Sequence, residues 1–276
     1  MKSGFVAIIA EPNAGKSTLV NFMVGHKISI VTHKVQTTRR RILGICLKNK
    51  TQIIFMDTPG VFQTNIIDNS FTSVSWNASK VADINIVLLD VTRKNFEFSR
   101  NIIVNLINRN ASHIILCFNK VDKSDKNKLL YLINHFSRYK PIKKMFIISS
   151  LTGSGVDDLL LYLEKILPQR SWLYPKGQIT NISKFSMAEE IVREKILINI
   201  HKEVPYTIVV KCDKWENKFN TSLLYLTLYV ERISHKHILL GKNGTRMKHI
   251  IFDSCRDLES IFLHTVKLYI FIKMCR

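Results

Sequence analysis

Eight consecutive residues, Ala10-Glu11-Pro12-Asn13-Ala14-Gly15-Lys16-Ser17, join a small-residue loop to a lysine and a hydroxyl. A loop of this kind cradles a polyphosphate. Backbone N–H groups of the loop, and of the helix it opens, point at the phosphate oxygens. Lys16 then lies beside the β- and γ-phosphates, and Ser17 offers its hydroxyl to Mg²⁺, with Thr18 next to it in the nucleotide-binding set. The strict pattern begins with glycine. Ala10 is the smallest substitute and is tolerated where its φ is negative.

A second set of residues supplies the metal and the switch. Asp57-Thr58-Pro59-Gly60 follows an apolar run; the acid suits a Mg²⁺ site and the Gly60 N–H suits a γ-phosphate. Between the two motifs lies Gln36-Thr37-Thr38-Arg39-Arg40. A mobile loop whose threonine reaches Mg²⁺ only when γ-phosphate is present is a common switch device. Thr37 and Thr38 both qualify, and Thr38 is preferred. Val61 stands where many P-loop switch proteins carry a water-positioning glutamine, so slow intrinsic hydrolysis is expected.

The third set reads a base. In Asn119-Lys120-Val121-Asp122 the carboxylate of Asp122 can accept from both the N1–H and the N2 amino group of guanine, neither of which adenine presents. Asn119 is expected at the other edge of the ring, with the Lys120 stem over its face. Ser149 and Ser150, after the next apolar run, are placed to give a backbone N–H to guanine O6. Together the three sets select guanine and a GTP or GDP ligand.

The fourth set faces a nucleic acid. Gly241-Lys242-Asn243-Gly244 precedes an amphipathic stretch, and a Gly-x-x-Gly loop lets an RNA backbone approach closely, as in KH domains. Arg232, Lys236, Lys242, Arg246 and Lys248 surround it and suit phosphates. Ile238, Leu239 and Leu240 are expected in an apolar groove floor.

These motifs need elements to position them. Phe5–Ala10, Gln52–Asp57, Ile84–Asp90, Ile114–Asn119 and Met145–Ser149 read as strands. Helical stretches such as 16–24, 99–108 and 128–136 alternate with them, which gives βαβ units and a mostly parallel sheet. The pattern ends near Leu167-Pro168. Residues 171–184 read as a linker. Beyond it the order changes to α-β-β-α-β, opened by a capping-box spacing at Ser186–Glu189. The domains are therefore 1–170, an α/β P-loop NTPase, and 185–276, an α+β unit.

Hydrophobic residues make up 46% of the 276-residue chain and charged residues 22%, an ordinary globular composition. No apolar run is long enough for a membrane span, and the residues before the first strand leave no room for a signal peptide. Five scattered cysteines fit free thiols in a reducing compartment. The net charge is +20, with +13 in residues 1–170 and +7 in residues 171–276. A polyanionic partner is implied, but the charge does not locate it.

Taken together, the chain resembles the Era family of GTPases. The strings that carry the resemblance are Pro12–Asn21, Val35–Arg39, Trp172–Pro175 with Gln178–Thr180, Ala188–Lys195, Pro205-Tyr206, Tyr229–Arg232 and Gly241–Gly244. The resemblance implies a Ras-like P-loop domain followed by a type II KH domain. It also implies GTP hydrolysis coupled to assembly of the small ribosomal subunit, with the KH domain on the 3′ end of small-subunit ribosomal RNA. A monomer is expected, cytoplasmic, with peripheral association with the inner, anionic membrane. Asn13 occupies the loop position at which some relatives hold K⁺, so potassium-assisted hydrolysis is a further expectation. Ala10 and Ser150 depart from the family's usual glycine and alanine. Ala10 and Val61 leave open an RNA-binding module that binds GTP with little turnover; a GTPase of tRNA modification or membrane traffic fits the KH-like end poorly.

Overall fold

Short apolar runs that alternate with amphipathic ones bury both faces of a sheet under helices, and the first part of the chain does this. A computed structural model describes residues 1–32, 42–58, 69–200 and 204–275. The expected switch residues Thr37 and Thr38, the turn residues Pro59 and Gly60, and Val61 lie outside the described residues. Two compact units are present, Met1–Ser29 with Val35–Asn181, and Ile30–Lys34 with Ile182–Arg276.

The first unit is a six-stranded sheet in the order β2-β3-β1-β4-β5-β6. Its strands are β1 (Lys2–Ala10), β2 (Ile42–Lys48), β3 (Thr51–Asp57), β4 (Ile84–Asp90), β5 (Ile114–Asn119) and β6 (Ile142–Ile147). Every pair is parallel except β2 with β3. The helices are α1 (Lys16–Val24), α2 (Asn69–Val81), α3 (Glu97–Asn108), α4 (Lys126–Phe136) and α5 (Val156–Ile166). β3, β4 and β5 are buried along their whole length, as strands covered on both faces must be. Ile9, Met56, Leu89, Ile103, Phe118 and Phe136 belong to one core cluster. This packing fixes where the strands end, and all the nucleotide motifs sit at C-terminal strand ends, where parallel sheets bind ligands.

The edge strand β2 is absent from the sequence reading, because a basic run precedes it and it alternates poorly. It receives the connector: Ile45 N–H donates to Ile179 O at 2.8 Å, and Leu43 N–H to Asn181 Oδ1 at 2.9 Å. Gln52 clamps the same stretch by accepting from the N–H groups of Leu173 and Tyr174 and donating to Tyr174 O.

The second unit runs α6 (Lys184–Asn199), α7 (Val204–Thr207), β7 (Val209–Lys218), β8 (Thr221–Val230), α8 (Ile233–Leu240), α9 (Thr245–Phe262) and β9 (Thr265–Met274). β8 is central, antiparallel to β7 and parallel to β9. Apart from the single turn α7, the order α-β-β-α-α-β is that of a type II KH domain. Two expectations are corrected. The cap of α6 is Ser183, whose hydroxyl accepts from Ser186 N–H at 3.1 Å, while Glu189 turns to accept from Cys212 N–H at 2.9 Å. The α-β-β-α-β order gains a helix, α8, which is closed by Ile238–Leu240, expected in an apolar groove floor, with Leu239 fully buried.

Candidate nucleotide and nucleic-acid sites

The phosphate loop leaves the sheet at Ala10, which still pairs with Leu88 of β4. Ala10 is not among the residues with positive φ, so the alanine is tolerated there. The left-handed positions fall on Asn13 (φ 63°) and Gly15 (φ 98°). Gly15 is required twice over: a side chain is strained at that φ, and a Cβ would stand 2.5 Å from Asn119 Nδ2.

Three carbonyls of the loop are held in succession. Arg93 donates to Pro12 O at 2.7 Å, Lys120 to Asn13 O at 2.7 Å, and Asn119 Nδ2 to Ala14 O at 2.7 Å. A peptide whose carbonyl is fixed outward presents its N–H to the opposite side, which is how a loop becomes an anion cradle. The Glu11 carboxylate is engaged within the protein. It is buried, pairs with Arg93 at 2.6 Å and accepts from Ser99 Oγ at 2.5 Å.

Lys16 is buried beside Asp57. Burial pushes its ammonium below the usual range, and the Asp57 charge opposes that. Asp57 is fully buried and shifted the other way by burial, against Lys16 and then the hydroxyls of Ser17 and Ser29. Ser17 Oγ donates to Asp57 Oδ2 at 2.9 Å. Asp57 Oδ1 is a buried oxygen without a hydrogen-bond partner, and Ser29 Oγ beside it is outside hydrogen-bonding geometry. A buried carboxylate oxygen left unsatisfied next to a hydroxyl is a donor set that a hard cation completes, so Ser17 and Asp57 fit Mg²⁺. The Thr58 hydroxyl donates to Ile8 O at 3.2 Å.

The base-reading motif is built into the same network. Asn119 is buried and accepts on Oδ1 from both the N–H and the hydroxyl of Ser150, each at 2.9 Å. Lys120 is left-handed (φ 65°) and reaches Asp90 at 2.6 Å. Burial raises Asp90, but Lys120 and the Thr92 hydroxyl and N–H outweigh it, so its carboxyl lies below the ordinary value. Asp122 is exposed in the turn Val121–Lys123, where Ser149 Oγ donates to it at 2.6 Å. Ser149 N–H closes onto Ser154 O at 3.0 Å. Of the two N–H groups expected to meet guanine O6, that of Ser149 thus donates to Ser154 O and that of Ser150 to Asn119 Oδ1. The sequence missed Asp90, Thr92, Arg93 and Ser99; an acid ending a buried strand before Val-Thr-Arg was the available signal.

In the second unit, Gly241 (φ 69°, ψ −176°), Asn243 (φ 51°) and Gly244 (φ 74°) make the turn into α9. A Cβ at Gly241 would meet Arg246 Cβ at 2.8 Å, whereas a Cβ at Gly244 would enter open space. Arg232, Lys236, Lys242, Arg246 and Lys248 are all exposed. Arg246 also donates to Ile238 O, so it caps α8.

The family model described as 50S ribosome-binding GTPase matches residues 5–120. GTPase Era of Agrobacterium fabrum is 40% identical over 275 residues, covering 99% of this chain and 86% of that one. A crystal structure of an Aquifex aeolicus Era variant bound to GDP and aluminium fluoride superposes with a TM-score of 0.92 at 33% identity, covering 100% of this chain and 94% of that one. A crystal structure of Era with MgGDPNP and nucleotides 1506–1542 of 16S ribosomal RNA gives 0.90 at 33% identity, with the same coverage.

Proposed function

The chain belongs to the Era family of GTPases, and from that premise we propose that it is a GTP-hydrolysing switch that binds the 3′ region of small-subunit ribosomal RNA during assembly of the small subunit. The observation that carries the reading is the fusion of base reader to phosphate cradle. Asn119 and Lys120 hold the carbonyls of Ala14 and Asn13, so guanine recognition by Asp122 and phosphate binding by the loop stiffen together. Lys16 places its ammonium at the phosphates, where binding energy is best used on charge that develops during transfer. Ser17 and Asp57 would hold Mg²⁺, which would supply positive charge against the phosphates. The Gly241–Gly244 loop and the lysines and arginines around it take the RNA backbone.

Ala10 no longer argues for a module without turnover, since its backbone fits alanine. Val61 still argues for slow hydrolysis. Multiple-turnover phosphate release should exceed that of Lys16→Ala, and it should run faster in K⁺ than in Na⁺ if Asn13 helps hold a potassium ion; equal rates in the two salts would remove the potassium role alone. Crosslinking of bound RNA with GTP or GDP present should enrich the 3′ end of small-subunit RNA, and no enrichment would sink the assembly role. Cytoplasmic action as a monomer, with weak contact to anionic membrane, completes the reading. No helix of the described residues is long and apolar enough to cross a membrane.

A further inference from the structure

The sheet of the second unit has two faces, and the RNA loop uses neither. One face is packed. Trp215 of β7 lies against Phe185 and Phe262, at 5.9 and 5.0 Å between ring centroids, and Leu224, Leu226 and Leu228 of β8 are fully buried. The other face carries the alternate residues of each strand and is open along the edge strand β9, where Tyr269 is 43% exposed and Phe271 52%, while Thr227 of the central strand is buried.

Register sets what stands side by side there. Lys214, Tyr225 and Tyr269 form one row across the three strands, and Lys211, Thr227 and Phe271 form the next. In the first row the two tyrosine rings stack at 5.0 Å and 14°, with Lys214 Nζ 5.9 Å from the Tyr225 ring. Beyond these rows Lys273 faces Tyr229, and Lys267 faces Leu223. Two carboxylates share the face, and both are committed: Glu216 pairs with Lys214, and Asp213 accepts from Thr227 Oγ1 at 2.6 Å.

We propose that this open face is a second RNA-binding surface, taking a single-stranded segment whose bases stack on Tyr269 and Phe271 while the edge lysines meet its phosphates. The chemistry favours single-stranded nucleic acid over other partners. Exposed aromatic rings about 7 Å apart along the edge strand β9, Tyr269 with one face already on Tyr225 and the other left for a base, suit splayed bases taken one per ring. Lysines on both outer strands match a backbone crossing the sheet, and the chain as a whole carries +20. An apolar protein partner would leave those lysines buried without counter-charges. The surface is distinct from the Gly241–Gly244 loop, so the chain would hold RNA at two places.

The test uses the full chain and an oligouridylate about 12 nucleotides long, within the range of single-strand sites. Ultraviolet crosslinking should label peptides that contain Tyr269 or Phe271, and the label should survive Lys242→Asp in the loop. Phe271→Ala and Tyr269→Ala should each weaken binding about fivefold or more. Lys211→Ala and Lys273→Ala, at exposed positions that the fold does not need, should each lower the slope of log affinity against log salt by about 0.7. Labels confined to the loop, or unchanged slopes, would overturn the proposal. So would a Phe271→Ala variant that loses binding to phosphatidylglycerol vesicles while keeping its affinity for oligouridylate, which would assign the face to membrane. Because the loop variant and the sheet variants are read separately, failure here leaves the loop's own role standing.

Discussion

Arg93, which no motif contains, ties Glu11, the phosphate loop and α4 together. Its guanidinium pairs with buried Glu11 and also donates to Pro12 O, and its own carbonyl accepts from Lys128 at 2.8 Å. Removing it leaves the Glu11 carboxylate buried with only Ser99 as a donor, and frees one loop carbonyl. Arg93→Ala is therefore expected to cost ~1–3 kcal/mol of stability and to loosen GDP binding about tenfold. Glu11→Gln, which keeps the Ser99 contact and removes the buried charge, should do less on both counts. Melting temperature and GDP dissociation rate read this directly, and a Glu11→Gln effect as large as that of Arg93→Ala would refute the arrangement. None of this network was legible in the sequence. Lys16, Asp57 and Asp122 are recognisable because their chemistry demands one residue type at one offset. Glu11 and Arg93 find each other only after β1 and β4 pair, and many other residues could do the same work.

Elements were legible in proportion to how local their causes are. The buried strands and α9 follow from apolar runs and a glycine turn, and their sequence bounds differ little from the structure. β2 was missed because it is an edge strand whose apolar residues serve the tertiary contact with α1 and the connector. α8 was missed because Ile238-Leu239-Leu240, an apolar run just ahead of a glycine, looks the same whether it closes a helix or lines a groove. The loop that follows separates conformation from contact. Gly241 combines φ 69° with ψ −176°, a region that only glycine enters easily, and a Cβ there would collide with Arg246. Gly244 is simply left-handed, with open space beside it. Gly241→Ala should accordingly lower the melting temperature more, consistent with ~1–3 kcal/mol of strain plus the clash. Gly244→Ala should cost ~1–2 kcal/mol yet still weaken RNA binding, since its open side is where a backbone can approach. GTP binding should be unchanged in both. If Gly244→Ala bound RNA normally, that approach would have to be elsewhere.

At the scale of the whole molecule the question is how nucleotide state reaches the RNA-binding unit. Ile30–Lys34 is counted with the second unit, although the chain on either side of it belongs to the first. The expected switch threonines, 37 and 38, follow within a few residues. Among the described residues of this segment, Val31 N–H donates to Glu194 Oε1 of α6 at 2.7 Å. Glu194 is 2% exposed and lies 3.2 Å from Lys195, which in turn pairs with Asp257 of α9. Burial would lower Lys195, but Asp257 and Glu194 hold it above its ordinary value, so the ammonium stays charged across the neutral range. Three consecutive charged residues of α6, Arg193 to Lys195, are buried, and buried charges persist only when paired. The contacts thus run from Val31, a few residues before Gln36 in the sequence, through α6 to α9, the helix that the Gly241–Gly244 turn opens. A coupling of this kind is a free-energy difference between two sites and must be reciprocal. Glu194→Ala should therefore shrink the ratio of RNA affinities measured with GTP and with GDP, and equally shrink the ratio of GTP to GDP affinities measured with and without RNA. Each affinity taken alone should change by less than the ratio does, because neither binding surface contains Glu194. Glu194→Gln, which can still accept from Val31, should keep part of the coupling. If both variants preserved the full ratio, the Val31 contact would be a strut for the second unit and the nucleotide signal would have to travel by another route.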